Sequence, residues 1–475
     1  MGSVRIVGGG LAGCEAAWQA ASRGVPVTLY EMRPARRTDV HKTGRLAELV
    51  CSNSLRGDKL DNAVGLLKEE MRRLDSLIMR AAAATRVPAG AALAVDRDAF
   101  SEYVTREIAR HPLVTVVREE LTEIPELRGA LEPVIIATGP LTSDRLSAAI
   151  AAFVGQDYLY FYDAISPIVS ADSIDMDVVF RASRWGRSLG PHNAERPSEE
   201  APIGPACGVD DGEGDYLNCP MDAARYRAFY DALVHAQSAT VHDFDKARFF
   251  EGCLPIEVLA HRGVDTLRFG PMKPVGLVDP KTGWRPYAVV QLRQDSLAGD
   301  HFSIVGFQTQ LTWGEQERVL RLIPGLERAE FVRFGMVHRN TYINGPTVLR
   351  ETWQTKTRDD LLFAGQISGV EGYVESAASG LLAGINAAAM AAGDAPGTAP
   401  RSTAIGALAY YVSHASAGYY QPSNITFGIM EPLPKPPRNK LERKTAVSAR
   451  ALAELDAWIA TRRAGCSPAP VARHL

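Results

Sequence analysis

The sequence predicts an α/β chain, in which a Rossmann-like dinucleotide-binding domain is interrupted by an inserted α+β domain. Three observations carry that prediction. The chain opens with an apolar strand that runs into glycines and a helix; a later apolar strand ends in Ala137-Thr138-Gly139; and a further strand, glycine and helix follow residue 361. The stretch between the last two is rich in β-forming residues and reads as the insertion.

Residues 4–7 (VRIV) form the first strand, 8–13 (GGGLAG) the turn and 14–22 the helix. Gly8 permits the tight turn, Gly10 lets backbone amides approach a pyrophosphate, and Gly13 lets the helix lie close on the strand. Gly9, Leu11 and Ala12 complete a turn whose helix N-terminus faces the anion. Cys14, inside that helix, reads as a packing residue. A second strand, 25–30, ends at Glu31, where an acid accepts hydrogen bonds from a ribose. A helix over 97–109, a strand over 114–117 and the strand over 134–139 follow. A late Ala-Thr-Gly return is typical of FAD-binding chains.

The β-rich segments 153–169 and 178–185 leave that domain, and 186–214, with its prolines and glycines, reads as a long loop. A helix over 223–237, strands over 288–293 and 301–306 and a helix over 312–322 complete the insertion. The strand over 361–366 then enters Gly365 and Gln366, and a helix over 374–390 follows Gly372 and Tyr373. Ser376, Gly380 and Gly384 fall on one face of it, so a sheet or a cofactor can approach closely. The expected division is 1–150 and 331–475 for the two parts of the FAD-binding domain, the second with a C-terminal tail. Residues 151–330 are the inserted, substrate-side domain.

The stretch 51–78 sets Cys51 in a polar, basic turn ahead of an amphipathic helix. Leu67, Met71, Leu74 and Ile78 are spaced for one helix face, Glu69 and Arg73 pair across a turn, and Asp61 or Asn62 is the cap. Ser52, Asn53, Ser54 and Gly57 are turn formers, so Cys51 ends a strand or loop near Arg56 and Lys59, cations that favour a thiolate. A half-buried structural cysteine fits the same residues. Cys253 sits in a second turn, between Gly252 and Pro255; Glu251 and Glu257 beside it would raise a thiol's pKa, which suits proton transfer at least as well as nucleophilic attack. A structural cysteine remains the alternative there too.

Composition excludes several classes. With 46% hydrophobic and 23% charged residues, the 475-residue chain is that of a globular protein, and no apolar run approaches a membrane span. The N-terminus enters a strand with no leader, and the six cysteines form no CxxC pair, so the expectation is a cytoplasmic protein without a disulfide framework or metal site. The net charge of −3 hides two basic stretches, 33–59 and 435–450, of a kind that hold phosphates.

With these segments laid out, the chain resembles the folate- and FAD-dependent tRNA (uracil-5-)-methyltransferase family, TrmFO, from its first strand to about Glu431. The resemblance rests on VGGGLAGCEAA, ELVCSNSLRGDKLDNAVGLLKEEMRRLDSLI, LAVDRDAFS, IATGPLTSDRL, LNCPM, FFEGCLPIE, HRNTYINGP and FAGQISGVEGYVESAASGLLAGINAA. The stretch 185–214 looks longer and less charged than the family's. The resemblance implies transfer of a methylene group from 5,10-methylenetetrahydrofolate to C5 of a tRNA T-loop uridine, with reduction to methyl. FAD would be the intermediary, bound through Gly8, Gly10, Gly13, Glu31, Gly365 and Gln366, and NADH or NADPH the reductant. It implies Cys51 and Cys253 as the catalytic pair, one adding to uracil C6 and the other removing the C5 proton. Cys51 is assigned as nucleophile from its basic surroundings, an assignment that leaves the exchange of roles open. Two other readings remain: a different FAD/NAD(P)H-dependent redox or RNA-modifying flavoprotein, and an RNA-binding homologue without catalysis. A monomer and a dimer are both compatible with the sequence.

Overall fold

The computed structural model describes residues 2–36, 38, 40–126, 129, 131–155, 159–186, 214–239 and 254–465. Its largest core is built on a five-stranded parallel sheet in the order Leu361–Phe363, Val134–Ile136, Val4–Val7, Val27–Tyr30, Val114–Val117. Val4–Val7 is buried at every position, as a parallel strand covered on both faces requires. The strands end together at one edge, where Gly8 donates to Tyr30 O, Ala137 to Val7 O and Ala364 to Ile136 O. Ligands of open parallel sheets bind at that edge.

A second core lies on a six-stranded sheet in the order Phe180–Arg181, Tyr216–Met221, Ala288–Gln294, His301–Ile304, Ile168–Ser170, Phe331–Arg333. Leu159–Ala164 and Val337–Tyr342, the strands that enter and leave this part, pair antiparallel with each other. A small third sheet joins Ser54–Gly57, Ala92–Val95 and Arg86–Val87. The loop expected over 186–214 lies largely outside the described residues.

The structure breaks the single helix expected through Ile78. Ala63–Arg73, capped by Asn62, and Leu77–Ala84, capped by Ser76, are separate helices, with Asp75 at φ 61° between them. The cause is tertiary: buried Glu15 accepts from Ser76 Oγ at 2.7 Å and Ile78 N at 3.0 Å, so it captures the N-terminus of the second helix. Leu67, Met71, Leu74 and Ile78 are nevertheless all buried, and Arg73 pairs with Glu69 at 3.6 Å.

The expected C-terminal tail carries two helices, Ala404–His414 and Lys440–Gly465. The first is docked by Glu70, whose carboxylate accepts from Ala404 N and Ile405 N, both at 2.8 Å. The second buries Ala451 and Leu455 and pairs Asp456 with Arg73 at 2.5 Å.

Helix Leu11–Ala21 crosses helix Tyr373–Ala392 backbone against backbone. A Cβ on Gly380 would lie 2.1 Å from Ala12 O, and one on Gly384 2.5 Å from Ala16 O. These glycines therefore serve the helix contact, while Ser376 on the same face reaches the cleft described below. Gly380→Ala is expected to destabilise the protein by about 1–3 kcal/mol, because a methyl group must displace main chain. Gly314→Ala, which meets nothing within 4 Å, is the control and stays within about 0.5 kcal/mol. Equal thermal unfolding of the two variants would refute the contact.

Candidate active site

The strand ends line a cleft at the carboxyl edge of the parallel sheet. Gly8, Gly9, Gly10, Leu11 and Ala12 line it, as do Glu31, Thr138, Gly139, Gly365, Gln366 and Tyr373. A Cβ on Gly10 would meet nothing within 4 Å, so the glycine leaves open the place where a phosphate approaches. Gly10 is also the cap of Leu11–Ala21 and has no side chain to satisfy the first-turn amides, and no acid lies in that turn. Those amides and the helix dipole are available to an anion. The residues thus fit FAD on two counts, space at Gly10 and uncapped amides. Gly13 and Gly372 do not line the cleft: a Cβ on Gly13 would lie 1.8 Å from Gly8 O, and Gly372 caps Tyr373–Ala392 at φ 106°. Both shape the chain behind the cleft.

Glu31 stands at the cleft, but its carboxylate is already engaged. It accepts from Gly9 N at 3.0 Å, from Arg33 N and Nε at 2.9 Å each and from Arg33 Nη2 at 3.2 Å. Burial alone would raise this carboxyl; the Arg33 guanidinium and the two amides more than offset that and hold it below the ordinary range. Its first role is to hold the glycine turn. Cys14 is fully buried, donates to Gly9 O at 3.3 Å and has its thiol pushed far up by burial, which makes it the packing residue expected.

Cys51 lies in a bend near the end of the expected loop, ahead of strand Ser54–Gly57, but the cations around it are not the expected ones. Arg56 is drawn away into an ion pair with buried Glu375, and Lys59 is exposed and, among the described residues, forms no ion pair. Instead three arginines from distant parts of the chain grip residues 49–53. Arg97 donates to Leu49 O at 2.9 Å and Cys51 O at 3.3 Å; Arg333 donates to Val50 O at 2.6 Å; Arg293 donates to Ser52 Oγ at 2.9 Å and Asn53 Oδ1 at 2.8 Å. Tyr373, kept neutral by burial, accepts from Cys51 N at 2.7 Å and Ser52 N at 3.3 Å. Because Tyr373 also lines the cleft, one side chain joins the dinucleotide site to the cysteine turn. The thiol itself reaches Ala164 O at 3.9 Å.

Burial pushes the Arg293 and Arg333 guanidiniums down, while Arg97, paired with Asp295 at 2.9 Å, is held up against the same burial. A negative charge on Cys51 stabilises all three. Electrostatic coupling is reciprocal, so the three arginines favour the thiolate. Buried Lys68, its ammonium pushed down to about 8 by burial, donates to Leu55 O at 3.0 Å and Arg56 O at 3.1 Å and so fixes the strand after the turn. Sequence reasoning missed these arginines because 97, 293 and 333 are far apart in the chain. Only Arg97 had a signal, its place in the LAVDRDAFS run. Cys253 lies outside the described residues.

The basic stretch 33–59 is largely neutralised. Arg33 pairs with Glu31 and Glu48, Arg36 with Glu120, Arg45 with Asp98 and Arg56 with Glu375. It offers less free positive charge than its composition promises.

The family model described as "Glucose inhibited division protein A" matches residues 3–201 and 204–395. Two crystal forms of Aquifex aeolicus GidA align with TM-scores of 0.67 and 0.69 over 96% of this chain and 73% and 76% of theirs. Their 18% identity speaks for the fold alone. Fold and sheet order together define a GidA-like, Rossmann-type α/β architecture with an additional domain. Among curated relatives, a protein of Enterococcus faecalis is 56% identical over 449 residues, covering 94% of this chain and 97% of its own. One of Pelotomaculum thermopropionicum is 56% identical over 454 residues, covering 96% and 98%. Both are named methylenetetrahydrofolate–tRNA-(uracil-5-)-methyltransferase TrmFO. The chain belongs to the TrmFO family of enzymes.

Two predictions follow from this geometry. Replacing Arg97 by Gln is expected to move the pH profile of Cys51 alkylation, read at the Cys51 peptide by mass spectrometry, to higher pH, while Arg56→Gln leaves it in place. Superimposable profiles for parent and Arg97→Gln would refute the electrostatic role. Glu31→Gln is expected to cost about 3 kcal/mol at neutral pH, since it leaves buried Arg33 with Glu48 as its remaining partner. Because the folded Glu31 pKa is lowered, its stabilisation is fully present above the unfolded value of about 4.3 and is lost as pH falls through the folded one. The stability gap between parent and variant should therefore close in acid; a gap independent of pH would refute the assignment.

Proposed function

We propose that this protein transfers a methylene group from 5,10-methylenetetrahydrofolate to C5 of a T-loop uridine in tRNA and reduces it to methyl, giving 5-methyluridine, with FAD and NADH or NADPH as redox partners. The observation that carries the reading is the cysteine turn itself. A cysteine whose turn is gripped by three arginines and tied through Tyr373 to a dinucleotide cleft supplies a soft nucleophile beside a redox site, in a chain 56% identical to named enzymes of this activity.

Uracil C5 is a poor nucleophile until a group adds to C6. Cys51 thiolate forms the S–C6 bond, and the C5–C6 π pair moves toward C5, which then attacks the methylene carbon as one of its two bonds to folate nitrogen breaks; the second breaks when a hydride equivalent reduces that carbon to methyl and the nitrogen takes up a proton. Cys253 takes the C5 proton, and expulsion of the thiolate restores the C5–C6 bond. The three arginines lower the cost of the charge on sulfur both before addition and after expulsion. Tyr373 holds the Cys51 amide, so the sulfur cannot swing away as its charge changes. Gly8–Ala12 and Gly365 bind the dinucleotide, and Glu31 keeps that turn in shape. Bound FAD would supply the reducing equivalents that turn methylene into methyl.

The test is label transfer from methylenetetrahydrofolate to unmodified tRNA, combined with trapping on 5-fluorouridine tRNA, which has no removable C5 proton. Purified protein should show a flavin spectrum and transfer label. Cys51→Ala is expected to abolish the trapped adduct, whereas Cys253→Ala loses turnover but still forms it. The opposite pattern exchanges the two roles. Full methylation by both variants, or a folded protein that neither takes up FAD nor transfers label, overturns the proposal.

A further inference from the structure

A second cleft lies away from the dinucleotide site, in the C-terminal part of the chain. Its walls include Tyr410, Tyr411 and Tyr420 on one side and the segment 428–432 on the other. The exposed Arg401 guanidinium sits 3.6 Å from the Tyr410 ring centre, and Tyr410 stacks parallel on His414 with ring centres 4.2 Å apart. Arg450 donates to Pro432 O at 3.0 Å, which fastens the far wall to helix Lys440–Gly465. Immediately beyond that wall the chain reads PKPPRNKLERK. Lys435, Arg438, Lys440 and Arg443 are exposed there and, among the described residues, form no ion pair, in contrast to the neutralised stretch 33–59. Pro434, Pro436 and Pro437 stiffen the segment, so holding its cations in place costs little entropy.

We propose that this aromatic cleft and its cationic rim form a second docking surface for the tRNA, where phosphates meet the lysines and arginines and an unpaired base displaces the Arg401 guanidinium from the Tyr410 face, the other face staying stacked on His414. The proposal rests on the methyltransferase reading. Aromatic faces beside unpaired cations match single-stranded nucleic acid, since every base has a π-face and every nucleotide a negative charge. The surface is also mechanically continuous with the thiol. Tyr420 OH donates to Gly369 O at 2.9 Å, Asn424 Nδ2 to Glu371 O at 2.5 Å and Ile425 N to Glu375 Oε1 at 2.9 Å, all within a few residues of Tyr373. RNA held at this cleft is thereby held in fixed register with the Cys51 turn.

The experiment measures binding of an unmodified tRNA transcript to the full-length protein by fluorescence anisotropy across a salt series. The variant carrying K435Q, R438Q, K440Q and R443Q is expected to bind at least about tenfold more weakly at low salt, with a log–log salt slope shallower by about three. Tyr410→Ala is expected to weaken binding about fivefold or more. Flavin absorbance and thermal unfolding should stay at parent values in both. A variant with the same net charge, carrying R23Q, R80Q, R106Q and R110Q on exposed positions of the nucleotide-binding part, should bind as the parent does. Parent-like affinity and slope in the first variant, or equal losses in the charge-matched control, overturn the docking surface while leaving the methyltransferase reading intact. A parent protein that binds no tRNA at any salt overturns both. Loss of binding to phosphatidylserine vesicles, with tRNA binding unchanged, would show that the rim faces a membrane and likewise overturn the proposal.

Discussion

Two helix backbones in direct contact set the geometry on which the site depends. Gly380 and Gly384 let helix Tyr373–Ala392 lie on Ala12 and Ala16 of the glycine-turn helix, at a distance no side chain would allow. The N-termini of both helices are thereby brought to the carboxyl edge of the parallel sheet. Tyr373, first residue of the second helix, then reaches the cleft with its ring and the Cys51 turn with its hydroxyl. The dinucleotide cradle and the thiol are positioned by one contact, so neither can shift far without the other.

Around the thiol, the protein concentrates positive charge where burial makes it costly. Arg97, Arg293 and Arg333 are desolvated and share Asp295 as a close acid, with Arg97 alone bonded to it. Their hydrogen bonds to the carbonyls and side chains of residues 49–53 satisfy the guanidinium donors without cancelling their charge. An arrangement of this kind is stabilised further when a negative group forms beside it, which is the condition a reactive thiolate needs. Arg97 comes from the nucleotide-binding part, while Arg293 and Arg333 lie on the six-stranded sheet. Asn53 ties the two together, donating to Val95 O and Gln294 O, both at 3.0 Å. The turn is thus a joint between the two cores as well as a chemical site.

The two basic stretches show how little composition says about available charge. Residues 33–59 and 435–450 look alike in sequence, yet the first is threaded past Glu31, Glu48, Asp98, Glu120 and Glu375 and becomes part of the cleft's scaffold. Among the described residues the second forms no ion pair, and its Lys435, Arg438, Lys440 and Arg443 stay exposed. The difference comes from where the chain runs, not from the residues in it.

Local sequence determined what depends on local physics. The strand-glycine-helix pattern at residues 4–22, the late Ala-Thr-Gly return and the 361–390 unit were legible because turn geometry and apolar periodicity are written within a few residues. So were Asn62 as a candidate cap, the buried face of 67–78 and Cys51 as a residue of interest. Tertiary structure decided the rest. Glu15 split one expected helix into two, Arg33 and Gly9 occupied the Glu31 carboxylate, and Glu70 docked a helix where only a tail was expected. Arg97, Arg293 and Arg333, from three separate parts of the chain, replaced Arg56 and Lys59 around the Cys51 turn. Each of these turns on an ionisable group finding a hydrogen-bond partner across the fold. Such pairings leave no periodic or spacing signal, because Coulomb attraction acts on distance in space, and only the folded chain sets that distance.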